Sequence, residues 1–181
     1  MLIRLTLLTA LMAAPALAQS DDDLGGGSLN PEEMTLNRVM KNVRGGQTDM
    51  VTCATGYLMV KKGDHEDARE LFNQCAEAGY TGAMTWLSQM DDNGLGGDEN
   101  PDAAAEWSRR AAEAGDPVGK FNYGLSLMRG RGVAQDVDAG RAMVDAAAAQ
   151  GLAIAQRMQR ADYDLDEVTP DADNWKYGPM F

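Results

Sequence analysis

Apolar positions recur at helical intervals along most of the chain. Phe121, Leu125 and Met128 fall on one face of a predicted helix over 117–129. Gly130-Arg131-Gly132 ends that helix, since glycine tolerates the left-handed geometry of a C-cap. Asp136 or Asp138 is placed to cap the next helix, which runs through alanine-rich sequence to Gly151. Asn100-Pro101 opens a similar helix earlier in the chain, with proline in the permitted first turn. Met34, Leu36, Val39, Met40 and Val43 give an apolar stripe to a helix over 30–46, entered through Asn30 and Pro31 and stopped by Gly45-Gly46. Residues 152–162 predict one more helix. The fold class is all-α.

The pattern repeats. Gln74-Cys75-Ala76-Glu77-Ala78-Gly79, Arg110-Ala111-Ala112-Glu113-Ala114-Gly115 and Ala146-Ala147-Ala148-Ala149-Gln150-Gly151 end in glycines spaced 36 residues apart. Gly94 and Gly96 map onto Gly130 and Gly132 at the same offset, and Asp102-Ala103 onto Asp138-Ala139. Each unit reads as a helix, a glycine turn and a second helix. A helix pair of this size buries its apolar face only against its neighbours, so the units stack into a solenoid whose ends need covering. The helix over 30–46 is expected to cap the first unit, and the segment after Gly151 the last.

The units resemble the Sel1-like repeats, a branch of the tetratricopeptide class. Tyr123-Gly124, Leu127, Gly130, Gly132-Val133 and Asp136 follow the first half of that pattern. Ala104, Trp107, Ala111-Ala112 and Gly115 follow the second. The first unit, with Gly56, Gly63 to Ala68, Phe72 and Cys75, is closer to a plain tetratricopeptide repeat. Ser88 and Asp91 depart from the pattern in the middle unit, and Gly140 and Met143 in the third, which suggests looser or altered packing there. The resemblance implies a short right-handed α-solenoid of about three helix-turn-helix repeats over 47–156. It also implies a concave face lined by the first helix of each pair. By motif position that face carries Tyr57, Val60, Lys61, Thr85, Gln89, Asp92, Phe121, Leu125, Met128 and Arg129, a mixture suited to an extended peptide or a partner helix. Relatives act as adaptors and regulators, so a protein or peptide partner is expected. A cell-envelope hydrolase, suggested for some cysteine-rich relatives, is the alternative.

The flanks change the picture of where this happens. Arg4, the uncharged run Leu5 to Ala14, Pro15 and Ala16-Leu17-Ala18 form the three parts of a secretory signal over 1–18, with cleavage expected between Ala18 and Gln19. The run is shorter than the ~20 residues of a bilayer span. No membrane insertion is expected after cleavage, and the expected compartment is a periplasm or the exterior. Residues 19–29 are acidic and glycine-rich, as in a linker. Residues 157–181 add a C-terminal cap, an acidic run and the aromatics Trp175, Tyr177 and Phe181, which are expected to pack on the solenoid.

With 28 acidic and 16 basic side chains the net charge is -12, which leaves no electrostatic footprint for nucleic acid and favours a partner with a basic segment. One histidine and two cysteines leave little for catalysis. Cys53 and Cys75 fall in the two helices of the first unit, at similar levels if the helices are antiparallel. Some relatives in the resembled family join the two helices of a repeat by a disulfide, and an exported pair is expected to oxidise. A redox pair, without C-x-x-C spacing, and free buried thiols are the other readings. His65 reads as a polar turn residue among Asp64, Glu66 and Asp67. Asp162, Asp164, Asp166 and Asp173 imitate a calcium loop, but Glu167 stands where the sharp turn wants glycine, so a solvated acidic segment is the better reading. No G-x-S-x-G occurs. No cofactor, no metal and no enzymatic activity is expected.

Overall fold

The computed structural model describes residues 35–168. Among these there are eight α-helices and no strand: α1 (Leu36–Arg44), α2 (Met50–Lys62), α3 (His65–Glu77), α4 (Thr81–Asp92), α5 (Pro101–Glu113), α6 (Pro117–Arg129), α7 (Val137–Ala149) and α8 (Ala153–Arg160), then a 3-10 turn (Leu165–Val168). The signal, the linker and the aromatic segment lie outside the described residues.

Local chemistry sets the boundaries. Asn100, Asp116 and Asp136 each accept a hydrogen bond from the backbone amide three residues on, which starts α5, α6 and α7. Asp49 does the same for α2, accepting from Val51 and Thr52 at 3.0 Å. Thr35 caps α1, so that helix begins at Leu36, later than the Asn30-Pro31 pair suggests. The three glycines of the 36-residue period adopt one conformation, with φ of 91°, 93° and 92° at Gly79, Gly115 and Gly151. Past each, the next amide (Tyr80, Asp116, Leu152) reaches back to the carbonyl of Cys75, Ala111 or Ala147. The chain therefore leaves each second helix along the same path, and the period in sequence becomes a period in space.

Helices α2–α3, α4–α5 and α6–α7 are the three pairs, and α8 stands where a fourth pair would begin. Each helix packs on its neighbours in sequence, α4 also touches α6 directly, and Tyr57 of α2 meets Trp86 of α4 with ring centroids 5.6 Å apart, so the first helices lie side by side. One buried cluster runs through α1 to α5, centred on Met59, Leu71, Phe72, Leu87 and Met90. A second joins Phe121 and Met128 of α6 to Val144 and Ala147 of α7 and Ala155 and Met158 of α8.

The contact between the two helices of a pair is filled three ways. In the first, Gly56 faces the Phe72 ring, which would stand 2.5 Å from any Cβ there. In the second, Ser88 and Ser108 share a buried hydrogen bond of 2.7 Å. In the third, the backbones themselves meet: a Cβ on Gly124 would lie 2.8 Å from the Gly140 carbonyl oxygen. The departures at Gly140 and Ser88 thus do not loosen the packing. Gly140 removes the side chain that would hold α7 off α6, and Ser88 has a matched partner. The first pair is also joined by the Cys53–Cys75 disulfide, with Cα atoms 5.9 Å apart.

Polar ties hold the pairs in register. Arg69 of α3 forms an ion pair with the buried Asp91 of α4 and donates to the Leu95 carbonyl at 2.9 Å. Arg131, after α6, donates to the Asp92 carboxylate at 2.6 Å. The loop after α4 is thereby held from the repeat before it and the repeat after it. Thr81 donates to Asp116 at 2.7 Å, tying the start of α4 to the start of α6.

Candidate partner-binding surface

The first helices α2, α4 and α6 share a register: 32 residues separate equivalent positions in α2 and α4, and 36 separate those in α4 and α6. Tyr57, Gln89 and Leu125 are equivalent in this register. Tyr57 and Gln89 are exposed, while Leu125 is half-buried at the margin of the second cluster. Lys61 and Arg129 are equivalent and both exposed. Lys61 lies over the Tyr57 ring at 5.5 Å, and Arg129 donates to the Leu165 carbonyl at 3.1 Å. These five residues form one row along the solenoid.

On α6 the neighbouring positions face inward. Phe121 is 4% exposed and Met128 3%, both packed against α7 and α8. Neither offers a surface to a partner, which corrects the expectation that placed them on the concave face. The helical period of α6 is right, but its phase is set by α7 and α8. Val60, equivalent to Met128, packs against the first cluster. Thr85, equivalent to Phe121, turns its hydroxyl to the Gly82 carbonyl at 2.9 Å. Asp92, on the Val60 row, is occupied by Arg131. Sequence reasoning also missed Met50, Val51 and Leu58 of α2, which are 74%, 75% and 56% exposed. The available signal was that α2 is apolar nearly all round, with no polar face to assign to solvent.

The candidates for chemistry stay apart. Cys53 and Cys75 are joined and buried, so neither is a free thiol. His65 opens α3, and its Nδ1 is buried without a hydrogen-bond partner. It borders an open hollow with Gly63, Asp64, Glu66, Asp67 and Gly96, in which there is no hydroxyl or thiol nucleophile. Asp164 accepts from the Asp166 amide at 3.0 Å, closing a local turn, and Asp173 lies outside the described residues. Among the described residues no three His, Cys, Asp or Glu side chains converge as a metal set, and no helix is long and apolar enough to cross a membrane.

The comparisons agree with this architecture. A structure of a Sel1 repeat protein from Oxalobacter formigenes is similar with a TM-score of 0.58 and 25% identity, covering 70% of this chain and 97% of that one. Cysteine-rich protein B of Helicobacter pylori is similar in fold, with a TM-score of 0.56 at 15% identity, covering 70% of this chain and 98% of that one. No curated protein matches the chain. The Sel1 repeat matches three times, at residues 53–80, 81–116 and 117–152, each match spanning one of the helix pairs described above or most of it. Three such matches in tandem, on helix pairs that stack as repeats, place this chain in the Sel1 repeat family.

Proposed function

We propose that this chain is an exported binding module, holding a protein or peptide partner along the row Tyr57, Lys61, Gln89, Leu125 and Arg129. Sel1-repeat proteins are generally protein-interaction scaffolds. The observation that carries the reading here is the row itself. Tyr57, Lys61, Gln89 and Arg129 are exposed on successive first helices and Leu125 is half-buried, while Phe121 and Met128 beside the row on α6 are buried. An aromatic ring, an amide, an aliphatic side chain and two cations in line suit an extended segment that alternates apolar and polar groups. The net charge of -12 favours a partner with a basic segment and makes association salt-sensitive. The signal-like segment over 1–18 supports export, with the periplasm or the exterior as the place of action. The alternative of an envelope hydrolase lacks support, because nothing near His65 serves as a nucleophile.

The test is cross-linking capture from native cells, with a photoreactive residue at position 89 and mass spectrometry of what is held. One enriched protein, cross-linked at position 89 and lost with Tyr57→Ala or Arg129→Glu, is the expected result. Equal capture from a position on the outer face of α5 would overturn the reading. Both variants sit on exposed side chains, so folding is preserved. Phe121→Asp is not a usable probe, because a carboxylate there would be buried without a partner.

A further inference from the structure

Val51 and Leu58 of α2 are exposed at positions where α4 carries Ala83 and Met90, which are 4% and 0% exposed. In α4 those side chains are covered by the helix pair that precedes it. In α2 the preceding element is α1, nine residues long, which covers only part of the helix. The face left open bears Met50, Val51, Tyr57 and Leu58. It is also basic: residues 35–62 carry five cationic side chains and one acidic, in a chain whose net charge is -12. Arg44 is paired with Glu70 and Lys62 with Asp64, which leaves Lys61, over the Tyr57 ring, as the cation at the border of the face. An apolar face with a cation at its border suits an occupant that is apolar and carries an acidic group.

We propose that this face is the docking site of the chain's own C-terminal segment, residues 171–181. The segment has the required chemistry, with Asp171 and Asp173 followed by Trp175, Tyr177, Met180 and Phe181. Residues 19–34 are the other candidate in the sequence. They are acidic too, but their large apolar side chains are only Leu24, Leu29 and Met34, with Gly25 to Gly27 between the first two. The path is short. Arg129, at the C-terminal end of α6, holds the Leu165 carbonyl at 3.1 Å, and its equivalent on α2 is Lys61. The chain therefore sets out toward its tail at the level of Lys61 and Lys62, two first helices away. Two interaxial steps of 8–10 Å come to about 20 Å. Seven extended residues, from Val168 to Trp175, span up to about 24 Å, and thirteen span about 43 Å. Five extended residues carry Asp173 up to about 18 Å from Val168, to the neighbourhood of Lys61; Asp171 stays short of it, and the aromatics lie over Leu58 and beyond. The segment supplies the cover that a preceding repeat supplies to α4. The face shares Tyr57 and Lys61 with the row proposed above, but it is argued from the uncovered Met50, Val51 and Leu58 and not from that row.

The full-length chain tests it. With p-benzoylphenylalanine at position 58, irradiation is expected to join α2 to residues 171–181 within one chain. Adducts with residues 19–34, with a second chain, with phospholipid or with another protein would each overturn the proposal, as would the absence of any adduct. A second measurement follows chymotryptic cleavage after Trp175 and Tyr177. Leu58→Glu, at an exposed site, is expected to leave the melting temperature in place and speed that cleavage about tenfold, because proteolysis tracks the open population. An unchanged cleavage rate in a folded variant counts against docking.

Discussion

Gly124 and Gly140 bring α6 and α7 together backbone to backbone, each with the other's carbonyl oxygen under 3 Å from where a Cβ would sit. Elsewhere on an alanine-rich helix, replacing glycine with alanine gains about 1 kcal/mol in helix propensity. At Gly140 the new methyl would also press on Met128, which is buried and has little room to yield. Overpacking of this kind costs about 1–3 kcal/mol. Gly140→Ala is expected to lower stability by a net of up to about 2 kcal/mol in urea unfolding. A rise in the midpoint would show that the two helices can separate at no cost.

Ser88 and Ser108 occupy the corresponding place in the middle pair, with their hydroxyls bonded to each other in the core. Replacing one strands the other, and an unsatisfied buried hydroxyl costs about 1–3 kcal/mol. Ser88→Ala and Ser108→Ala should each destabilise on that scale. The double variant should cost clearly less than the two together, because no orphan remains. A double-mutant cycle by chemical denaturation measures the coupling, and strict additivity would show that the bond contributes nothing.

The Cys53–Cys75 bridge closes a separation of 22 residues around the turn between α2 and α3. In the chain-entropy model a loop of that length is worth about 3 kcal/mol, gained by restricting the unfolded chain. Cys75 is 0% exposed and Cys53 7%. Mild reductant should therefore act only as fast as the first repeat opens, and guanidinium should accelerate it. The variant with both cysteines replaced by alanine should lose about 3 kcal/mol against the oxidised protein. Rapid reduction of the native protein in dilute dithiothreitol would show that the first repeat opens freely.

The repeat architecture was legible because it is written in residues that act locally. Gly79, Gly115 and Gly151 impose one backbone conformation, and Asn100 and Asp136 cap equivalent helices, so the spacing alone reveals the stacking. The binding row was less legible. Phe121 and Leu125 lie one turn apart and both are apolar, and only the packing of α6 into the cluster shared with α7 and α8 shows that Phe121 is the more buried one. Asp91 reads only as a departure from the repeat pattern, yet it meets Arg69 across 22 residues of sequence, a pairing that no local pattern announces. The open face of α2 was hidden for the opposite reason. A helix apolar all round looks like core until one sees that α1 is too short to cover it.

Tyr163 donates its phenol to Asp145 at the end of the solenoid, where Gln159 donates to the same carboxylate at 2.6 Å. The hydrogen bond from Tyr163, with that from Gln159, holds the Asp145 carboxyl below the usual aspartate range. The same bond raises the Tyr163 phenol above its ordinary value. The signs give a window. A carboxylate depressed on folding stabilises the fold above its unfolded value, and that contribution is lost as pH falls through the folded value. A phenol raised on folding contributes below its unfolded value, and its share is lost as pH rises through the folded value. The pair is therefore fully engaged at neutral pH and weakens at both extremes. Tyr163→Phe is expected to move the Asp145 midpoint upward, toward an ordinary aspartate, in a carboxyl-carbon NMR titration. It should lower the melting temperature slightly at pH 7, with the gap to the parent protein closing in acid. An Asp145 midpoint that does not move in the variant would show that Gln159 alone sets it.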